Sequence, residues 1–185
     1  MNLVLDLDET LISVKLEPFK DFDFKFKIQG TLFYCKKRPS LDLFLKYVFK
    51  HFDTVNIWTA ATAEYARKII NNIMSREQIS KMTFIKTRKD LSYDHQGKIY
   101  KPLEKIFIDP IARSNNINKK NTIMIDDKVD FMIDNLGNSI IIPAFRGQDK
   151  DRYLPKLLIV LDGILSYNID FSILRETLDL RKIVE

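Results

Sequence analysis

The sequence is short of the residues that most often build soft metal centres and disulfide frameworks. Its 185 residues include one cysteine, Cys35, and two histidines, His51 and His95. A lone cysteine closes no internal disulfide, and one Cys with two His cannot assemble a Cys/His zinc cluster. Nothing around Cys35 suggests a reactive thiol, so a nucleophile is expected to come from a carboxylate. Long apolar runs are also lacking. The longest near the C-terminal end, residues 157–165, is broken by Asp162 and falls short of the roughly 20 residues that cross a bilayer. The N-terminus, with Asp6 and Asp8 set among Val4, Leu5 and Leu7, has neither the uncharged nor the Arg-rich character of a leader segment. These absences predict an intracellular chain, cytoplasmic or nuclear, with no membrane role. Charge is nearly balanced as well: 30 Lys and Arg against 25 Asp and Glu leave +5, a mild preference for anionic partners and far less than a dedicated nucleic-acid binder carries.

What is present is a core and a regular alternation of patterns. With 45% hydrophobic residues the chain can bury one sizeable core, and a single domain over 1–185 is expected. Leu3, Val4 and Leu5 run apolar into Asp6, as in a short strand buried on both faces of a parallel sheet. Phe22, Phe24, Phe26 and Ile28 alternate with Asp23, Lys25 and Lys27 before Gln29-Gly30, and a second extended run follows. This predicts an inserted hairpin over about 19–37 with one aromatic face. Leu41, Phe44, Leu45, Val48, Phe49 and Phe52 recur at helical spacing behind Pro39-Ser40, which predicts a helix over 40–52. Residues 54–59 read as a strand. Thr62 is placed to cap a helix ending near 74, with Tyr65, Ile69, Ile70 and Ile73 inward. Further strands are expected at 82–85, 121–125 and 139–142, a short helix at 130–135, and two closing helices at 151–165 and 171–180. Strands alternating with helices, without repeats or linkers, predict an α/β fold: a doubly wound parallel sheet with an early β-hairpin insert.

In such sheets ligands sit beyond the carboxyl ends of the strands. Asp6 and Asp8 follow the first strand, and Asp126 and Asp127 follow a later one. Carboxylates brought together raise one another's pKa unless a cation neutralises them, and an all-oxygen set suits Mg²⁺ better than a soft metal. One Asp-x-Asp alone is as readily a turn or a helix cap; the second pair shifts the balance toward a metal site.

The residues then carry a resemblance. Asp6-Leu7-Asp8-Glu9-Thr10-Leu11 resembles the Asp-x-Asp-x-Thr signature of the haloacid dehalogenase superfamily of aspartate-nucleophile phosphatases. Lys37-Arg38-Pro39, Trp58-Thr59-Ala60 with Glu64-Tyr65-Ala66, Lys101, and Ile125-Asp126-Asp127 are similar in order and spacing to the phosphatases of the RNA polymerase II C-terminal domain, the NLI-interacting-factor-like group, over residues 3–165. The resemblance implies that Asp6 is the nucleophile and that Asp8 is the general acid and base, with its backbone carbonyl on the metal. It implies that Thr10 supports the loop, that Thr59 holds a phosphoryl oxygen, and that Lys101 offsets negative charge. The metal, Mg²⁺, would be held by Asp6, Asp8, Asp126 and Asp127. Either Asp127 is the direct ligand and Asp126 orients Lys101 or a water on the metal, or the two are reversed. Relatives tend to have Lys-Asp-Leu where this chain has Lys101-Pro102-Leu103, and the segment to Asp126 is longer, so Lys105 is the alternative lysine.

Arg88 lies where relatives place a substrate-contacting arginine, although a solvated charge fits the run Lys86-Thr87-Arg88-Lys89 equally well. The aromatic hairpin either lines a groove for an apolar or Pro-containing stretch of a phosphopeptide or simply packs on the domain. His95 has no assigned role. The resemblance thus implies an Mg²⁺-dependent, monomeric protein phosphoserine or phosphothreonine phosphatase, with an RNA polymerase tail as one candidate substrate. A nucleic-acid 3′-phosphate end is a second substrate class. A non-catalytic, presequence-binding role like that of a mitochondrial inner-membrane translocase subunit is the third reading. Abundant Lys, Ile and Asn, and a start directly on a strand, fit a compact virus- or parasite-encoded chain.

Overall fold

The computed structural model describes residues 1–182. In chain order, β1 (Asn2–Leu5) is followed by an antiparallel unit, β2 (Ile12–Lys15), β3 (Phe24–Ile28) and β4 (Thr31–Lys37), and then by α1 (Leu41–His51). Next come β5 (Thr54–Trp58), α2 (Ala63–Ile73), α3 (Arg76–Ser80) and β6 (Ile85–Lys86). A small hairpin, β7 (Ser92–Tyr93) with β8 (Ile99–Tyr100), leads to α4 (Glu104–Phe107) and α5 (Pro110–Ser114). The chain closes with β9 (Thr122–Asp126), β10 (Ser139–Ile141), α6 (Tyr153–Tyr167) and β11 (Leu178–Asp179).

Six strands form one parallel sheet in the order β11-β10-β9-β1-β5-β6. Its strands alternate by residue between two apolar layers, as the two-residue period of a strand requires. Leu3, Leu5, Ile123 and Ile125 join the layer built with α1, α2 and α6, while Val4, Met124 and Trp58 join the opposite layer with Leu103, Ile106 and Ala112. That is why the strands read as continuous apolar runs. From β1 the chain winds outward through β5 to β6, and from β9 it winds the other way through β10 to β11. The seam between β1 and β9 is therefore the point where the winding reverses, and in such sheets ligands sit beyond the strand ends at that point.

The expected α/β architecture is present; α3, the β7–β8 hairpin, α4 and α5 are additions to it, and four expected elements take a different form. The hairpin turns tightly at Gln29-Gly30, both at positive φ, with Ile28 paired to Thr31, but it carries a third strand, β2, which runs antiparallel to β4. The strand expected at 82–85 shrinks to Ile85–Lys86 because the amide nitrogens of Thr83 and Phe84 are taken by the Asn56 side chain. Val129–Met132 is a 3₁₀ turn rather than a helix. The helix expected over 171–180 is absent. Asp170 caps a single 3₁₀ turn through Ser172, and Leu178 and Asp179 instead extend the sheet beside Ile140 and Ile141.

Candidate active site

The parallel register of β1 and β9 sets Leu5 beside Ile125, so the next residue on each strand, Asp6 and Asp126, emerges at the same end. The Asp6 amide continues the ladder by donating to the Ile125 carbonyl at 3.0 Å. Asp6, Asp126 and Asp127 are all buried, and each offers a carboxylate oxygen such that these atoms lie within 4.8 Å of one another. Lys101 reaches the same point from beyond β8. Its Nζ donates to Asp6 Oδ1 at 2.6 Å and to Asp126 Oδ2 at 2.7 Å, and the residue has no solvent exposure. The Lys101 backbone is fixed on both sides, since its N–H donates to the Phe131 carbonyl and its carbonyl accepts from Asn135 Nδ2 at 2.8 Å.

Burial pushes the Asp6 carboxyl well above its usual range; Lys101 opposes this, and Asp126 and Asp8 add to it. Burial works against the Lys101 ammonium too, but Asp126 and Asp6 outweigh it and hold its pKa up. The two directions are consistent because a single ammonium is shared by two carboxylates. Asp127 is pushed up to about 7 by burial and then by Asp126. Burial thus favours the protonated forms of Asp6 and Asp127, a bias that a hard divalent cation beside them would offset, and the donors of the cluster are all oxygen. The residues fit Mg²⁺.

The loop after β1 is shaped by Glu9, at φ 62°, and by the Leu11 and Ile12 amides, which both donate to the Leu7 carbonyl. Within it the Thr10 hydroxyl donates to Asp127 Oδ1 at 3.4 Å, tying the first acidic loop to the second. Asp8 stands apart from the three-carboxylate cluster. Its Oδ1 accepts from the Tyr65 hydroxyl at 2.5 Å, and burial raises its pKa against the opposing pull of that hydrogen bond. Thr59, one residue beyond β5, is buried; its hydroxyl accepts from the Ala61 amide at 3.1 Å, leaving the O–H to donate elsewhere. Arg88 is exposed and donates from Nε to the carbonyl of Ala60, the residue after Thr59, at 3.0 Å, and it is not part of the carboxylate cluster. Lys105 is exposed, and its Nζ donates to the Leu91 carbonyl at 3.4 Å. His95 is exposed, and burial pushes the Cys35 thiol up.

The NLI interacting factor-like phosphatase profile matches residues 1–172. The chain belongs to that family. It is 30% identical over 168 residues to a probable C-terminal domain small phosphatase of Dictyostelium discoideum, covering 89% of this chain and 50% of that one. It is 28% identical to a putative CTD phosphatase-like protein of invertebrate iridescent virus 6, covering 91% and 99%. Among solved structures, Fcp1, an essential RNA polymerase II CTD phosphatase, shares the fold with a TM-score of 0.59 at 19% identity, over 90% of this chain and 52% of that one. The chain therefore spans about half the length of the Dictyostelium relative and of Fcp1.

In this family member the contact between Tyr65 and Asp8 lay hidden in the sequence. Tyr65 reads there as an inward helix residue within Glu64-Tyr65-Ala66, and only folding reveals that its hydroxyl meets Asp8, 57 positions away. The Phe-rich hairpin supplies the setting. Phe26 and Phe33 stack at 5.4 Å between centroids, and both meet the Tyr65 ring edge-on, at 5.5 and 6.2 Å. Packing on the domain is thus what Phe26 and Phe33 do.

Proposed function

We propose that this chain is an Mg²⁺-dependent phosphomonoesterase that works through an aspartyl-phosphate on Asp6 and acts on phosphoserine or phosphothreonine in a protein. One observation carries the reading: Lys101 bridges Asp6 and Asp126 at the ends of adjacent strands, with Asp127 completing a buried oxygen cluster at the seam where the sheet reverses. Asp6, Asp126 and Asp127 would hold the metal, with the Asp8 backbone carbonyl as a further oxygen. A divalent ion held there would neutralise phosphoryl and carboxylate charge and let Asp6 stay ionised.

The protein's own groups supply the remaining steps. An Asp6 oxygen attacks phosphorus as the bond to the ester oxygen breaks, and Asp8 gives its proton to that oxygen. Asp8, now a carboxylate, takes a proton from water as the water attacks phosphorus, and the bond to Asp6 breaks to release phosphate. Lys101 offsets charge on Asp6 and the phosphoryl oxygens. The Thr59 hydroxyl and the neighbouring amides are the donors for a phosphoryl oxygen. Arg88, at the rim, is the group for substrate flanking the phosphate. Among the described residues no helix is long and apolar enough to cross a membrane. Relatives named for the RNA polymerase II C-terminal domain make a phosphorylated heptad peptide of that tail the first physiological substrate to try.

Release of p-nitrophenol from its phosphate in Mg²⁺ tests the reading. Asp6→Asn is expected to lower kcat by at least about 10⁴, whereas activity equal to wild type would exclude Asp6 as nucleophile.

A further inference from the structure

The mechanism proposed above asks Asp8 to give a proton in one step and take one in the next, from the same place both times. A free aspartate on a loop does not do this reliably, because its two oxygens are interchangeable and its side chain can turn. The structure resolves that difficulty from outside the loop. Tyr65 sits in the first turn of α2, where its amide donates to the Thr62 side chain at 3.4 Å, so both its backbone and its ring are fixed. The ring is clamped by Phe26 and Phe33 of the hairpin. Its hydroxyl occupies Asp8 Oδ1, and no described residue donates to Oδ2.

We propose that Tyr65 is the positioning residue for Asp8: its hydroxyl claims Oδ1 and leaves Oδ2 as the one oxygen that exchanges protons with the leaving group and with water. The inference rests on the phosphatase reading. When Asp8 is the acid, its proton is on Oδ2, and it passes to the ester oxygen as the P–O bond breaks, giving an alcohol and a carboxylate. The Tyr65 O–H then stabilises that carboxylate until Oδ2 takes a proton from the attacking water, with no net change at Tyr65. A phenol hydroxyl keeps its proton at neutral pH, so Tyr65 remains a donor throughout. The inserted hairpin thereby bears on the chemistry through two phenyl rings that pack against a third.

A leaving-group comparison separates this role from simple packing. The nitrophenolate of p-nitrophenyl phosphate departs without a proton, whereas the more basic phenolate of phenyl phosphate benefits from one. The quantity to compare is kcat/KM, which covers the steps up to departure of the leaving group. Tyr65→Phe keeps the ring and its contacts. It is expected to lower kcat/KM for phenyl phosphate by about ten- to a hundredfold and to change that for p-nitrophenyl phosphate by less than about threefold, at an unchanged melting temperature. In an Asp8→Asn background the same change should cost nothing further with phenyl phosphate. Equal losses on both esters, no loss on either, or full additivity with Asp8→Asn would overturn the inference. If wild type turns over neither ester in Mg²⁺, the phosphatase reading and the inference fall together. Turnover that Asp6→Asn abolishes and Tyr65→Phe leaves intact overturns the inference alone.

Discussion

At Asp127 the cost of gathering acids is visible in a single residue. Its carboxyl is pushed up to about 7 by burial and by Asp126, far above the value of an unfolded aspartate. Between about pH 4 and pH 7 the folded, metal-free protein therefore keeps a proton that the unfolded chain releases. Its contribution to stability is full below that window and is lost as pH rises through it. A divalent cation needs the ionised carboxylate, so its effect runs the other way. Mg²⁺ at a hundred times its Kd should stabilise the fold by about 2.7 kcal/mol, and the rise in melting temperature should be larger at about pH 8 than at about pH 5. A shift of equal size at both pH values would contradict this placement of Asp127. Among single residues, Asp6, Asp8, Asp126 and Asp127 were readable because charge directly follows an apolar run. The Tyr65 contact was not, because nothing local in Glu64-Tyr65-Ala66 says that a hydroxyl will find a carboxylate on another loop.

At the level of elements, a second lysine-or-arginine contact does structural work. Arg38, at the end of β4, is buried, with Nε and Nη2 on the two oxygens of Asp151 at 2.8 and 2.9 Å. Its remaining donors reach the carbonyls of Thr10 and Pro143, and Asp151 also accepts from the Tyr153 amide where α6 starts. One side chain thus joins the acidic loop, the segment after β10 and the last long helix. Asp151→Ala leaves a guanidinium buried without its counter-charge and should destabilise the protein by about 3 to 5 kcal/mol in urea unfolding; a loss below about 1 kcal/mol would assign this ion pair a surface-like weight. In the sequence, Lys37-Arg38-Pro39 could be recognised as a motif, but not as a clamp. Elements with strong periodicity, such as α1 with Leu41, Phe44, Leu45 and Val48 buried, were readable. Residues 171–180 were misread because Phe171, Leu174 and Leu178 imitate a helical stripe. The Phe171 amide in fact bonds to the Lys120 carbonyl, and Leu178 joins the sheet. Tertiary hydrogen bonds that run from a segment to distant residues leave no periodic trace within it.

For the whole molecule, the sheet order explains why the β1–β9 seam gathers the acids: strands wind away from it in both directions, and ligands of such sheets sit beyond the strand ends at that point. That architecture followed from apolar runs alternating with helices. The exact partner of each strand did not, because parallel register is set by contacts far apart in the chain. The central claim is that a phosphoryl group passes through Asp6, and the most direct measurement is to catch it there. Asp8→Asn removes the base that clears the intermediate, while p-nitrophenyl phosphate still forms it without an acid. Acid-quenching that variant during turnover in Mg²⁺, followed by peptide mass spectrometry, should find a hydroxylamine-labile phosphoryl group on the peptide containing Asp6, and none when Asp6 is also changed to Asn. Nitrophenol release with no phosphoryl group on the protein, or with the group on another residue, would contradict the account.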